Sequence, residues 1–477
     1  MAHGLFTKLS GSTKAHLLAA KMRSLWDGIG VDYITTDCEA AMIKLGRLLE
    51  YGKELDDLGP ALEKFGTKHN GCVGHRLDKM HGAVHDHPAL KPLLGKLAHI
   101  STFLHKSSQA NDYVKDTSKV AGGNAWTSIK AMVATRWWSL FDHLASFLEN
   151  KETFVYLRDA PANSKSHLIP PDVHLLSDMD WFDIECIKDV VGPFKQAQQK
   201  LEGSKYITGS MVIPMLEEIR ENLRSARLLY SAEQSPLGSA VVDAVIEAFN
   251  VRFGDGTEIC VLKEGPARQP RGYTQEQVVA TCLDARNVPS LPGIPPSQQP
   301  QAWALVRSLL VDHVHKERGG KPEVHLEGQS STDEPDDWLS KAAAAAAAAA
   351  SEAGTGNQEE SAESIADREI KLWRMRAVPL GSGLCPLLEW KSAVKVCPWL
   401  GSLARRVLAI PATSAAPERL FSSSGNTMTK KRTRLTCDNL EELVFLHETW
   451  PVVREWEANK RVRMDEKAEE AVDLTNE

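Results

Sequence analysis

No two of the eight cysteines (38, 72, 186, 260, 282, 385, 397 and 437) form a CxxC pair. That scatter excludes a disulfide framework and reads as the usage of reduced, intracellular thiols. No apolar run reaches the roughly 18 residues of a membrane-spanning helix, so no membrane partner is expected. The opening MAHGLFTKLSGSTK holds no apolar stretch long enough for a secretory signal. No internal repeat of fixed period is present, which excludes a solenoid. What is there is ordinary globular material: 42% apolar and 25% charged residues in a chain of 477. At roughly 150 residues per domain, that length allows two to four units with ample core.

The net charge of −7 is local in origin. Residues 321–369 carry twelve acids and three bases, a net of −9, so the remaining 428 residues sum to about +2. A nearly neutral body can hold basic patches, and DNA stays open as a partner.

Residues 319–368 read as a linker. An acidic, Ser/Gly-rich stretch surrounds nine alanines at 342–350. Such a segment cannot bury enough apolar surface to fold alone. Residues 286–300 carry five prolines and one glycine, which predicts a loop. Before the linker the pattern is mostly helical, at 13–26, 40–50, 89–106, 138–157, 180–201 and 210–230. Val31, Tyr33 and Ile34 predict one short strand ending at Asp37. One strand among many helices predicts a mixed α/β fold. After the linker, Leu400, Leu403, Ala404, Val407 and Leu408 share a helical face. Asp438 is expected to open a further helix, with Glu441 as its capping partner. Leu440, Leu443, Val444 and His447 share a face of it.

The stretch LARRVLAIPATSAAPERLFSSSGNTMTKKRTRLTCDNLEELVFLHETW (403–450) closely resembles the C-terminal dimerisation region of hAT-superfamily transposases. Four upstream blocks resemble that family in the same order: ITTDCEAAM (34–42), GCVGHRLDKM (71–80), TRWWS (135–139) and LDAR (283–286). The resemblance implies an RNase H-like core interrupted by a helical insertion. The implied boundaries are a first core part at 1–160, an insertion at 161–318 and the linker at 319–368. A dimerisation region at 369–460 completes the core, and 461–477 form an acidic tail. It also implies that Asp37 and Glu418 are two of three metal-holding carboxylates. In such a site two Mg²⁺ ions about 4 Å apart neutralise the phosphate in transit and activate the nucleophile.

Each residue so identified has a plainer reading. Asp37 is placed to cap the helix that starts near Glu39. Glu418, after Pro417 in a first helical turn, complements the helix dipole. Cys72 and His75, the CxxH pair, are read as structural, a buried thiol and a hydrogen-bonded core histidine; a zinc role stays open. Arg136 and Trp137 are DNA-contact candidates, although tryptophans of this kind usually fill cores. Lys430, Lys431, Arg432 and Arg434 suit phosphate contact or nuclear import, and equally a solvated loop. Leu400, Leu403, Val407, Leu420, Phe421, Leu440, Leu443 and Val444 are the expected dimerisation residues.

The chain departs from the family pattern at its start. Only 36 residues precede Asp37, and they match the helix leading into the Asp37 strand. The resemblance therefore implies an N-terminally truncated derivative, without the DNA-binding finger and the strand bearing the first Asp. The expected function is self-association by a catalytically inactive, nuclear, transposon-derived protein that needs no cofactor. The alternative is an active transposase, using Mg²⁺, whose first Asp lies outside this chain. A decayed element without function is the third reading.

Overall fold

The computed structural model describes residues 31–37, 40–51, 67–133, 138–258, 272–318, 360–375, 385–427, most of 436–457, and Met22. Helix dominates them, and two short strands form a parallel sheet. Helix thus outweighs strand far more than the mixed α/β expectation implied. Strand β1 (Tyr33–Thr36) is the one the sequence marks. Its neighbour β2 (Lys68–Gly71) has the sequence KHNG and no apolar alternation. It is a strand only through its partner: the Lys68 amide donates to Asp32 O and the Cys72 amide to Thr36 O, each at 2.8 Å. Between the two lies helix α1 (Ala40–Tyr51), the crossover that parallel strands require.

Contacts divide the chain into two units, residues 1–34, 39–69 and 414–477, and residues 35–38 and 70–413. In the first, Leu45, Leu48 and Leu49 of α1 form a small core with Met22. Helix α15 (Ala415–Thr427) belongs here. So does segment 436–457, whose described residues from 439 onward are helical. Its first turn is capped by Thr436, whose hydroxyl accepts from the Asn439 amide at 3.3 Å. Asp438, the expected start of this helix, and Glu441 lie outside the described residues.

The second unit is a helical body. In chain order it holds α2 (Val73–His85), α3 (Lys91–Lys106), α4 (Ser108–Ser118), α5 (Ser139–Glu149), α6 (Lys151–Asp159), α7 (Asp178–Leu201), α8 (Val212–Leu229) and α9 (Pro236–Phe253). Then come α10 (Gln275–Leu283), α11 (Gln299–Glu317), α12 (Ala362–Arg374), α13 (Pro386–Ala393) and α14 (Pro398–Leu408). The longest, α7, starts with a Ser177–Asp180 capping box and packs against α2, α5, α8 and α9. An aromatic chain runs beside it. Phe147 stacks on Phe154 at 5.4 Å, Phe154 on Trp181 at 6.3 Å, and Trp138 on Phe194 at 5.8 Å. One continuous core takes in residues of α2 through α14, so residues 161–318 share it with the helices on both sides.

The expected linker ends early. Helix α12 begins at Ala362, where Ser361 accepts from the Ser364 amide. Ile365, Ala366, Ile370 and Trp373 are buried along it, which is the stripe a packed helix needs. Residues 319–359 and 458–477 lie outside the described residues. The proline-rich stretch is a loop up to Pro295, and Pro300 sits in the first turn of α11, where its missing N–H costs nothing.

Candidate functional site

The two candidate carboxylates belong to different units. Asp37 follows β1 directly. The strand end is pinned by the Thr36 carbonyl, which accepts from the Cys72 amide, and Thr35 Oγ1 donates to Pro411 O at 3.2 Å. Glu418 lies in the first turn of α15, and the Ser414 hydroxyl donates to its Oε1 at 2.8 Å. That bond occupies one carboxylate oxygen with local capping. Asp37 and Glu418 each offer a carboxylate, the hard oxygen donor that Mg²⁺ takes.

Cys72 is buried and precedes α2; His75 is half-buried in the first turn. The next residue, Arg76, does conspicuous work that its sequence position does not advertise. Its guanidinium donates to the carbonyls of Arg252 and Gly272, both at 2.7 Å, and lies 4.3 Å over the Phe253 ring. It thereby satisfies the Arg252 carbonyl in the last turn of α9 and ties it to the Gly272 carbonyl that opens the next described segment.

Arg136, Trp137, Lys430, Lys431, Arg432 and Arg434 lie outside the described residues. The residues flanking the Arg-Trp block are well fixed. Four side chains of one face of α5 and its C-terminal end hold an extended segment, 127–133. Ser139 bonds the Val133 backbone, His143 Nδ1 donates to Lys130 O, Ser146 accepts from the Lys130 amide, and Asn150 brackets Thr127. Burial pushes the His143 pKa down, so its ring is neutral. Trp138, directly after Trp137, has a left-handed backbone (φ 59°) that a tryptophan adopts only under tertiary constraint.

The apolar residues of the C-terminal region separate into two groups. Leu400, Leu403 and Val407 are buried in the core of the helical body. They hold α14 against α10, α11 and α12 and offer no surface to a second chain. Leu440 and Val444 are buried too; Leu420 is half-buried, and the Phe421 side chain lies outside the described ones. Leu443 is instead exposed, as are Leu446, Trp450 and Val453, at 44, 55, 57 and 40%. Spacings of three, four and three put these four on one helical stripe.

The body docks α12–α14 through two tryptophans. Trp373 and Trp390 stack at 3.9 Å, and their indole N–H groups donate to the carbonyls of Cys282 and Leu283, at 3.0 and 2.7 Å. The Leu283 carbonyl opens the LDAR block and the Cys282 carbonyl directly precedes it. Asp284 in it is buried, accepts from Arg286 Nε and Nη2 at 2.9 and 2.6 Å, and from Ser210 Oγ at 2.7 Å. The block is thus a rigid seat for the tryptophans. Segment 410–413 is threaded into the same body. The Ala412 carbonyl accepts from the Val73 amide, the Ala412 amide donates to Thr208 Oγ1, and Thr413 Oγ1 donates to Leu201 O. The Glu369 carboxylate reaches across from α12 and accepts from the Leu400 amide at 2.7 Å, in the first turn of α14.

Residues 367–450 match the family model of the hAT family C-terminal dimerisation region. No curated protein matches the chain. The matched span runs from inside α12, across the tryptophan seat and the threaded 410–413 segment, to Trp450 at the exposed stripe. Over that span the chain is similar to the C-terminal dimerisation region of hAT-family transposases.

Proposed function

We propose that this protein works by pairing with a second copy of itself through segment 439–457, and that it does not catalyse DNA strand transfer. The observation that carries the reading is the exposed Leu443, Leu446, Trp450 and Val453 stripe inside a dimerisation region whose Leu400, Leu403 and Val407 are buried in the body. Apolar side chains in a row on one helix are a partner surface, since water contact costs about 25 cal/mol for each Å² left uncovered. The βαβ unit with Asp37 at its strand end supports an RNase H-like ancestry for the core. The basic run from Lys430 to Arg434 supports nuclear residence and phosphate contact.

The full chain is expected to sediment as a dimer at tens of micromolar. Leu446→Asp would force a charge into the interface and is expected to weaken dimerisation at least about tenfold, which is about 1.4 kcal/mol or more. At a concentration where both proteins are monomers, its thermal unfolding should stay that of the wild type, because Leu446 is exposed. A wild-type monomer, or a variant that dimerises as well as the wild type, would contradict the reading. Incubation with supercoiled plasmid and Mn²⁺ tests the catalytic half. No nicking is expected; nicking that disappears in Asp37→Asn would establish an active transposase.

A further inference from the structure

We propose that His143 is an acid-sensitive clasp: when its ring takes up a second proton, segment 127–133 is released from α5. The clasp works within one chain and needs no second copy. Segment 127–133 belongs to neither strand, so α5 supplies its hydrogen bonds side chain by side chain. The anchored residues recur every third position: Thr127 on Asn150, Lys130 on Ser146 and His143, and Val133 on Ser139. Ile129, between two of them, is buried. The amide and hydroxyl anchors do not titrate. His143 is the one anchor whose charge can change between about pH 5 and 8.

The ring is set up for its neutral form. A carbonyl only accepts, so the 2.6 Å contact with Lys130 O fixes the proton on Nδ1. Nε2 is buried without a hydrogen-bond partner, and the ring stands edge to face with Phe147 at 5.1 Å. A second proton would make Nε2 a buried N–H with no acceptor. Among the described residues no carboxylate acts on the ring. Asp142 is engaged by Lys195 of α7 at 2.5 Å, Glu149 accepts from Thr127 Oγ1 at 2.8 Å, and the Lys130 side chain is exposed. His105 of α3 does act on the ring and, as a base, opposes its protonation. Letting go of Lys130 brings water to the charged imidazole. The released ring titrates at the ordinary histidine value of 6.5, so release gains up to about tenfold for each pH unit below it. Glu369 acts in the opposite sense, since its buried carboxyl favours the folded body at low pH. A loss confined to segment 127–133 is therefore separable from acid unfolding.

Hydrogen exchange of the full chain from pH 7.5 to 5.0, corrected for intrinsic exchange, tests the clasp. Protection of segment 127–133 in the wild type should fall by up to about thirtyfold over that range, while α9 and α10 keep theirs. In His143→Asn the side-chain amide can reach Lys130 O as Nδ1 does and cannot take a charge, so protection of the segment should not change with pH. His105→Gln should retain the wild-type fall. Wild-type protection that is flat with pH would overturn the proposal, whether or not the His143 variant folds. So would a loss shared by α9 and α10, or an equal fall in His143→Asn. A fall abolished by His105→Gln would overturn it by placing the sensor on α3.

Discussion

Trp373→Ala is expected to lower the stability of the helical body by about 3–5 kcal/mol, the usual loss when a buried tryptophan is truncated. Trp373 is fully buried, stacks on Trp390, and its N–H is given to the Cys282 carbonyl. Truncation opens a cavity and strands that carbonyl away from water, where an unpaired acceptor costs about 1–3 kcal/mol. Trp373→Phe keeps most of the packing and loses the hydrogen bond, so its cost should be confined to that smaller figure. Equilibrium denaturation with guanidinium separates the two. A loss below about 1 kcal/mol for Trp373→Ala would show that α12–α14 do not depend on the LDAR seat.

The second large effect is on pH. Glu369 is buried, and burial raises its pKa from 4.5 to about 7, against the lowering effects of the Leu400 N–H and of Arg368. Its Oε1 has no hydrogen-bond partner. The folded chain therefore keeps a proton that the unfolded chain gives up above about pH 4.5. The stability this group contributes is full below pH 4.5, falls as pH rises towards 7, and is lost above it. The shift corresponds to about 3 kcal/mol. Glu369→Gln keeps an acceptor for the Leu400 amide and cannot ionise. It should remove the decline between pH 4.5 and 7, and at pH 8 be more stable than the wild type by up to about 3 kcal/mol. Thermal unfolding of both proteins from pH 4.5 to 8.5 checks this. Parallel pH profiles would contradict it.

Much of the helical content was legible because leucine and isoleucine recur at helical spacing, as in α3, α7 and α14. Strand β2 was not, because KHNG has no pattern of its own and exists through pairing with β1. The start of α12 at Ala362 was hidden by the acidic composition around it, although Ile365, Ile370 and Trp373 make a clear stripe. For the candidate site, Asp37 at a strand end and Glu418 in a first helical turn were readable from Val31–Ile34 and from Pro417. The face of Leu400, Leu403 and Val407 was readable as apolar, but a sequence does not say whether an apolar face meets its own chain or another. Only burial separates those three residues from Leu443 and Leu446. Arg76 and Glu369 left no local signal, since what defines them is a carbonyl about 180 residues away and an amide 31 residues away.

The central claim is a division of labour within residues 367–450: helices α12 and α14 belong to the folded body, and segment 439–457 belongs to the dimer. Hydrogen exchange of the full chain at two concentrations, one well below and one well above that at which it dimerises, tests it directly. Amides of 362–374 and 398–408 should be equally protected at both, while those of 439–457 should slow as concentration rises. Protection of 398–408 that rises with concentration, with 439–457 unchanged, would contradict the account.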